Sequence, residues 1–404
     1  MPTKTQDKKK NGNDAGYMLR EFEKPFETAL YFGFQPVRTP EITKEDLQNL
    51  KAVKDSYYEP KRLQAEAPFT FDVLEKIALL RSFEAWGFEH TPQPVLIAYK
   101  KPLPGTFNKK ASDFTMGLEV LGLSTSSAEA LILRATLSIL EDEGYKNLSI
   151  HLNSLGDKDS VGDFERMVSG FVRKHMNGFP ADIRKMAKSD IFDILRSTDP
   201  KHGDVQGQAP KSLSFLSENS RNHFKEVLEH IESFNVPYTI AHRLIGSTSF
   251  CSHTIFEVRN GDGEESEVLA HGYRYSRLSK KVGFKKEVPA LGVTISFKKK
   301  EKKPLSKGIG KSKFYLIQLG FGAKLMALPV IEMLRRARIT IIHALAKDKL
   351  SSQLGSAENS RVPYILIIGQ KEAIERSVVV RNVSTRAQES VEVDKLVEYL
   401  RKLK

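Results

Sequence analysis

The densest chemistry in this chain is a run of lysines. Lys298, Lys299, Lys300, Lys302 and Lys303 fall within six residues, and Lys307, Lys311 and Lys313 follow. Ammonium groups on long flexible stems make point contacts with phosphates, which position a polyanion without reading its sequence. The charge balance agrees. Of 404 residues, 63 are Lys or Arg and 50 are Asp or Glu, a net charge of +13. Residues 1–297 carry 40 groups of each sign, residues 298–313 carry eight lysines against one glutamate, and residues 314–404 carry 15 basic and nine acidic groups. The whole excess sits in the last quarter. A neutral body joined to a basic tail domain points to a nucleic acid as the tail's partner.

The other chemical signals are sparse. Gly308-Ile-Gly310-Lys311-Ser312 imitates the end of a phosphate-binding loop, but it follows lysines rather than a strand and reads as linker. Gly320-Phe-Gly322 reads as a strand-to-helix turn whose amides could face a phosphate. His90, His151 and His242 stand alone. His253 and His271 fall on neighbouring strand segments with no pair at metal spacing, so no metal site is expected. Cys251 is the one cysteine, which excludes an intramolecular disulfide and fits a reducing cytoplasm. No stretch approaches eighteen apolar residues, so no membrane span is expected, and the opening MPTKTQDKKKNGND has no apolar segment of a secretory leader.

Hydrophobic spacing sets the elements that would carry these residues. Residues 1–15 are polar and read as a disordered basic tail. Helices are expected over 17–31, 73–87 and 125–144, the last with Glu129 as a capping partner of Ser126 or Ser127. Strands are expected at 34–38, 94–99, 114–121, 148–152, 237–242, 254–259, 266–271 and 290–297, while 43–68 reads as polar and irregular. Residues 155–235 are mainly helical in pattern and form an insertion. Residues 298–313 form a lysine-rich linker. Beyond it, strands and helices alternate from 314 to 402, which predicts a small α/β domain with a largely parallel sheet.

Three stretches together resemble the histidyl-tRNA synthetase family, a class II aminoacyl-tRNA synthetase. Ala29 to Glu41, reading ALYFGFQPVRTPE, resembles the family's first motif, with Pro40 as its proline. LSIHLNSLGD at 148–157, DILRSTDP at 193–200, LSENSRNHF at 216–224 and VPYT at 236–239 resemble its insertion region in order and spacing. Ile317-Gln-Leu-Gly320, Gln353, Ala357, Tyr364 to Gly369 and Val378 to Arg381 resemble its anticodon-binding domain. The resemblance implies an α+β class II core, an antiparallel sheet flanked by helices, over 16–154 and 236–297. It adds a helical insertion at 155–235 and an α/β anticodon-binding-like domain at 314–404. It also implies a homodimer built on the first motif.

The same resemblance implies adenylate formation from ATP and histidine with Mg, then transfer to tRNA. That chemistry needs planar, two-pronged cations around the triphosphate. The family's arginine positions hold Ala98, Gly246 and Lys299 here, and residues 72–76 read Asp-Val-Leu-Glu-Lys where an Arg-Pro-Glu-Gly-Thr element belongs. A pocket remnant survives. Glu119 matches the carboxylate that would hold the substrate's ammonium, and Gly272, Arg274 and Tyr275 fit a Gly-Gly-Arg-Tyr pattern. Arg274 and Tyr275 read equally well as a structural polar pair on a core strand. Losing three arginines predicts an impaired or inactive enzyme without cofactors, a cytoplasmic pseudoenzyme. It would bind tRNA or another RNA through Lys298, Lys299, Lys300, Lys302, Lys303 and Arg381. The alternatives are a working histidine–tRNA ligase, or a regulatory subunit of ATP phosphoribosyltransferase.

Overall fold

The segments 114–121 and 290–297 are apolar or small at nearly every position, the mark of strands covered on both faces. A computed structural model describes residues 18–403, apart from 54–71, 102–113, 198, 262, 264–265, 299–303 and 348. In it these two segments lie at the centre of an eight-stranded sheet. The strands are β1 (Gln35–Pro36), β2 (Val95–Lys101), β3 (Phe114–Leu121), β4 (Leu148–Ser154), β5 (Tyr238–Ile240), β6 (Ser252–Asn260), β7 (Glu267–Arg274) and β8 (Ala290–Phe297). Their order is β1-β2-β3-β8-β7-β6-β4-β5. The interior pairings are antiparallel, and only the short edge strands β1 and β5 pair parallel to their neighbours. This is the antiparallel class II core that was expected.

Helices cover both faces. They are α1 (Lys24–Tyr31), α2 (Lys44–Val53), α3 (Asp72–Ala85), α4 (Ser127–Asp142), α5 (Lys158–His175), α6 (Ala181–Ser189), α7 (Asp193–Arg196), α8 (Gly203–Gln208), α9 (Glu218–Glu232) and α10 (Ser276–Lys281). One core joins α1, α4 and α9 to Ala98, Leu118, Val120, Leu291 and Val293. The other joins α3 and the insertion helices to Ile97, Tyr99, Leu121, Tyr273 and Tyr275. The odd and even positions of each strand thus serve different layers. The caps of α5 and α9 interlock: Asp157 accepts from the Ser160 amide at 2.9 Å and from the Ser217 hydroxyl at 2.5 Å.

Two readings of this region change. The first helix begins at Lys24, not 17, because Pro25 occupies its first turn. The residues before it make isolated bridges instead, Met18 to Val37 and Phe22 to Ser306. Helix α2 forms where an irregular stretch was expected. Thr43 and Asp46 start it by exchanging hydrogen bonds of 2.8 and 3.3 Å, and its few apolar residues hide the helical spacing. The expected tail at 1–15 lies outside the described residues.

The C-terminal part has strands β9 (Phe314–Gln318), β10 (Ile341–His343), β11 (Tyr364–Ile368), β12 (Ser377–Asn382) and β13 (Gln388–Glu392). Its helices are α11 (Phe321–Arg336), α12 (Leu350–Ser360), α13 (Gln370–Glu375) and α14 (Val393–Lys402). The sheet order is β10-β9-β11-β12-β13. It is mixed rather than largely parallel, since β12 and β13 run antiparallel to their neighbours. Chain length gives the reason. Eight residues separate β11 from β12, fewer than the dozen or so that a parallel crossover needs.

Candidate functional site

Two glycines hollow out the α3 face of the large sheet. Cross-strand pairing places Ile97, Glu119, Gly292 and Tyr273 in one row across β2, β3, β8 and β7, and Tyr99, Gly117, Thr294 and His271 in the next. A Cβ at Gly117 would strike the Tyr99 ring, and one at Gly292 would strike the Glu119 carboxylate and the Lys76 ammonium. The missing side chains leave room for charged groups to lie over the backbone.

That room is filled from within. Glu119 is 0% exposed and so is Lys76, which reaches it from α3. The Lys76 Nζ lies 2.5 Å from Glu119 Oε1. The Tyr99 hydroxyl donates to the same oxygen at 2.9 Å, and the Tyr275 hydroxyl donates to Oε2 at 2.8 Å. The ammonium also sits over the Tyr273 and Tyr275 rings, at 5.9 and 5.4 Å from their centroids. Beside it a second buried pair runs the other way. Glu75 of α3 meets Lys101 of β2 at 2.5 Å, and Lys101 donates to Thr294 at 2.6 Å. Adjacent residues of one helix thus supply an anion and a cation to partners on the sheet.

The opposite face holds a separate polar centre. Arg274 grips Glu129 with two bonds, Nε to Oε1 at 3.0 Å and Nη2 to Oε2 at 2.5 Å, and donates to the Leu123 carbonyl at 2.8 Å. His223 adds a contact to Glu129 at 3.0 Å and packs on the His253 ring at 4.9 Å. Burial opposes ionisation of Glu129, but the Arg274 guanidinium and the His223 ring beside it hold the carboxyl well below the usual carboxylate range. Glu129 is therefore no helix cap. Ser126 turns instead to Glu226, at 2.6 Å.

The four pocket residues named from sequence divide by strand alternation. Glu119 and Tyr275 meet. Arg274 and Gly272 lie on the other side of the sheet, where a Cβ on Gly272 would strike the Phe256 ring. The three eroded positions fall as follows. Ala98 is buried against Leu118 on the α4 side. Gly246 lies in the loop before β6, and its carbonyl accepts from Arg196 at 3.1 Å; the same guanidinium is tied to Asp190 at 2.8 Å. Lys299 lies outside the described residues, as do Lys300, Lys302 and Lys303, while Lys298 is exposed at the end of β8. The loop-like Ser312 joins strands, donating to the Phe314 and Thr340 carbonyls at 2.8 Å. Phe321, in the glycine turn, packs edge-on against His230.

Sequence reading missed Glu75, Lys76, Tyr99, Lys101, Gly117 and Gly292. A signal was there. Residues 73–80 read VLEKIALL, a glutamate–lysine pair inside a segment apolar on every side, so both charges had to be buried and paired.

Comparison with known proteins shows what the chain is similar to. The family described as "Anticodon binding domain" matches residues 313–403. A histidine–tRNA ligase of Bacillus velezensis is 25% identical over 316 residues, covering 76% of this chain and 73% of that protein. A histidine–tRNA ligase of Fervidobacterium nodosum is 26% identical over 400 residues, covering 93% and 92%. The chain is similar along nearly its whole length to histidine–tRNA ligases. Among solved structures, apo S. aureus histidyl-tRNA synthetase aligns over 93% of each chain, with TM-score 0.49 and 21% identity. A Bacillus halodurans structure described as an ATP phosphoribosyltransferase regulatory subunit/histidyl-tRNA synthetase has TM-score 0.44 and 14% identity. No helix among the described residues is long and apolar enough to cross a membrane.

Proposed function

We propose that this chain, a histidyl-tRNA synthetase-like protein, no longer makes histidyl adenylate and acts in the cytoplasm as a binding protein for tRNA or another RNA. One observation carries the reading: the carboxylate that would receive the substrate's ammonium is already paired with Lys76, with both groups withdrawn from solvent. The positions that would bring two-pronged cations to a triphosphate hold Ala98, Gly246 and Lys299. Bound ATP and Mg are not part of this reading. The names of the relatives favour a second one, a working histidine–tRNA ligase using ATP and Mg.

The basic charge supports the RNA partner. Hydrogen bonds from Ser312 to Thr340, Tyr364 to Lys313 and Val383 to Pro363 draw together one end of the smaller sheet. Lys311, Lys313, Arg338, Arg361, Arg381 and Arg386 cluster at that end. Among the described residues, Arg338, Arg361 and Arg386 hold left-handed backbone conformations that favour glycine. These cations would supply phosphate contacts, as the lysines of 298–303 would on charge alone. A homodimer is part of this reading only through the resemblance of Ala29 to Glu41 to the family's first motif.

The test is binding of total tRNA to the full chain at several salt concentrations. With about five phosphate contacts, affinity should fall roughly 10²–10³-fold between 50 and 200 mM salt. An affinity that barely changes would remove the phosphate-contact account.

A further inference from the structure

A second polar cleft lies at the other end of α3 from Lys76. Arg81 and Ser82 stand in the C-terminal half of that helix, and Trp86 stands just beyond it. With the loop that joins β1 to α2 they line a cleft of about 570 Å³. That volume is within the range of small-molecule sites, roughly 300–1,000 Å³.

Hydrogen bonds fix its walls. Thr39 Oγ1 donates to the Lys100 carbonyl at 3.0 Å and ties the loop to β2. Arg81 donates from Nε and Nη2 to the two carboxylate oxygens of Asp46, at 2.9 and 3.1 Å, and from Nη2 to the Glu41 carbonyl at 2.8 Å. Asp46 is fully buried. The Arg81 guanidinium is thus gripped along one edge, and its Nη1 has no partner among the described residues. The Arg38 guanidinium and the Glu41 carboxylate also line the cleft; both residues are exposed, and neither group has a partner among the described residues. Trp86, the one tryptophan of the chain, packs edge-on against Phe88 with ring centroids 5.5 Å apart.

Each of these groups has a counterpart in one class of molecule. A nucleobase stacks on an indole. A phosphate accepts hydrogen bonds from guanidinium N–H groups. A carboxylate accepts from ribose hydroxyls. We propose that this cleft binds a free ribonucleoside 5′-monophosphate, with its base on Trp86, its phosphate on Arg38 and on Nη1 of Arg81, and its ribose hydroxyls on Glu41. The proposal uses none of the C-terminal cations and no residue of the Glu119 pocket, so it stands or falls apart from the proposed function.

The experiment reads Trp86 fluorescence in the full-length chain. The probe is inosine 5′-monophosphate, a purine nucleotide that histidyl adenylate formation does not use, with N-acetyltryptophanamide as the control for absorption. Quenching should saturate, with its midpoint at roughly 1 mM. Inosine, which lacks the phosphate, should bind about 10-fold more weakly, and Arg38→Ala should weaken the monophosphate by a similar factor. Glu41→Ala keeps the carbonyl that holds Arg81 and should abolish the preference for the ribonucleotide over its 2′-deoxy form. Both replaced side chains are exposed, so neither variant should unfold the chain. Quenching no greater than the control, inosine equal to its monophosphate, or a ribose preference that survives Glu41→Ala would overturn the proposal. A short RNA that quenches at lower concentration than the monophosphate would overturn the assignment to a free nucleotide.

Discussion

His230 shows how much a single residue can set. It is buried between α9 and α11, packs edge-on against Phe321, and neither ring nitrogen has a hydrogen-bond partner among the described residues. Burial, then the Lys324 ammonium, pushes its pKa down to about 4. In the unfolded chain the ring takes a proton near 6.5, so between those values the unfolded state binds more protons. Stability is therefore lost as pH falls from about 6.5 to about 4, by roughly 3 kcal/mol at the acid end. His230→Phe keeps a ring against Phe321 and should flatten that part of the stability–pH curve, measured by urea unfolding at pH 7 and pH 4.5. An unchanged slope would mean that other groups carry the loss; His253 and His343, also lowered to about 4 chiefly by burial, come next. At this scale the sequence was partly legible. Glu119 and Tyr275 were named from sequence and meet in the structure, but Lys76 and Tyr99 were not named, because their place beside them depends on a sheet row that only pairing reveals. Arg274 was placed with Glu119 because nearness in sequence says nothing about which side of a strand a residue faces.

Among elements, β8 and α3 are bound by one missing side chain. Gly292 leaves the space that the Glu119 carboxylate and Lys76 ammonium occupy. Gly292→Ala should destabilise the chain by about 1–3 kcal/mol through overpacking. The cost should shrink in a Lys76→Ala background, where the ammonium has gone. Additive costs in a thermal cycle would place the clash elsewhere. Most elements were readable from spacing, since the central strands and the long helices α4, α5 and α9 are strongly patterned. The failures have physical causes. Pro25 moved the start of α1, and α2 has too few apolar residues to show its period. Strand β13, reading QESVE, buries only Val391, so edge pairing rather than alternation defines it. The direction of β12 followed from the length of its connection, which periodicity does not record.

At the scale of the whole molecule, the two sheets are fastened through α4 and α11. Glu332 accepts from Ser138 at 2.7 Å, from Arg335 at 2.7 and 2.9 Å, and from Arg336 at 2.5 Å. Arg335 also meets Asp142 at 2.6 Å, and Arg336 meets Glu141 at 2.7 Å. Burial opposes the Glu332 charge, but the Arg335 guanidinium holds its pKa down to about 2. That contribution is present above about pH 4.5 and is lost as pH falls toward 2. Glu332→Ala leaves Arg335 half-compensated in the interface and should cost roughly 3–5 kcal/mol. Calorimetry should then show the C-terminal part melting apart from the core. A single unchanged transition would mean that apolar packing alone joins them. The charge imbalance between the two parts was legible in the sequence, whereas this fastening was not, since its members lie almost 200 residues apart.

The central claim is that a synthetase fold here carries a closed histidine pocket. Histidine-dependent exchange of pyrophosphate into ATP by the intact, folded chain tests it most directly, because it reads adenylate formation without requiring the right tRNA. The account predicts no exchange above the level seen without histidine. Clear histidine-dependent exchange would contradict it, and would mean that Lys76 yields its place to the substrate.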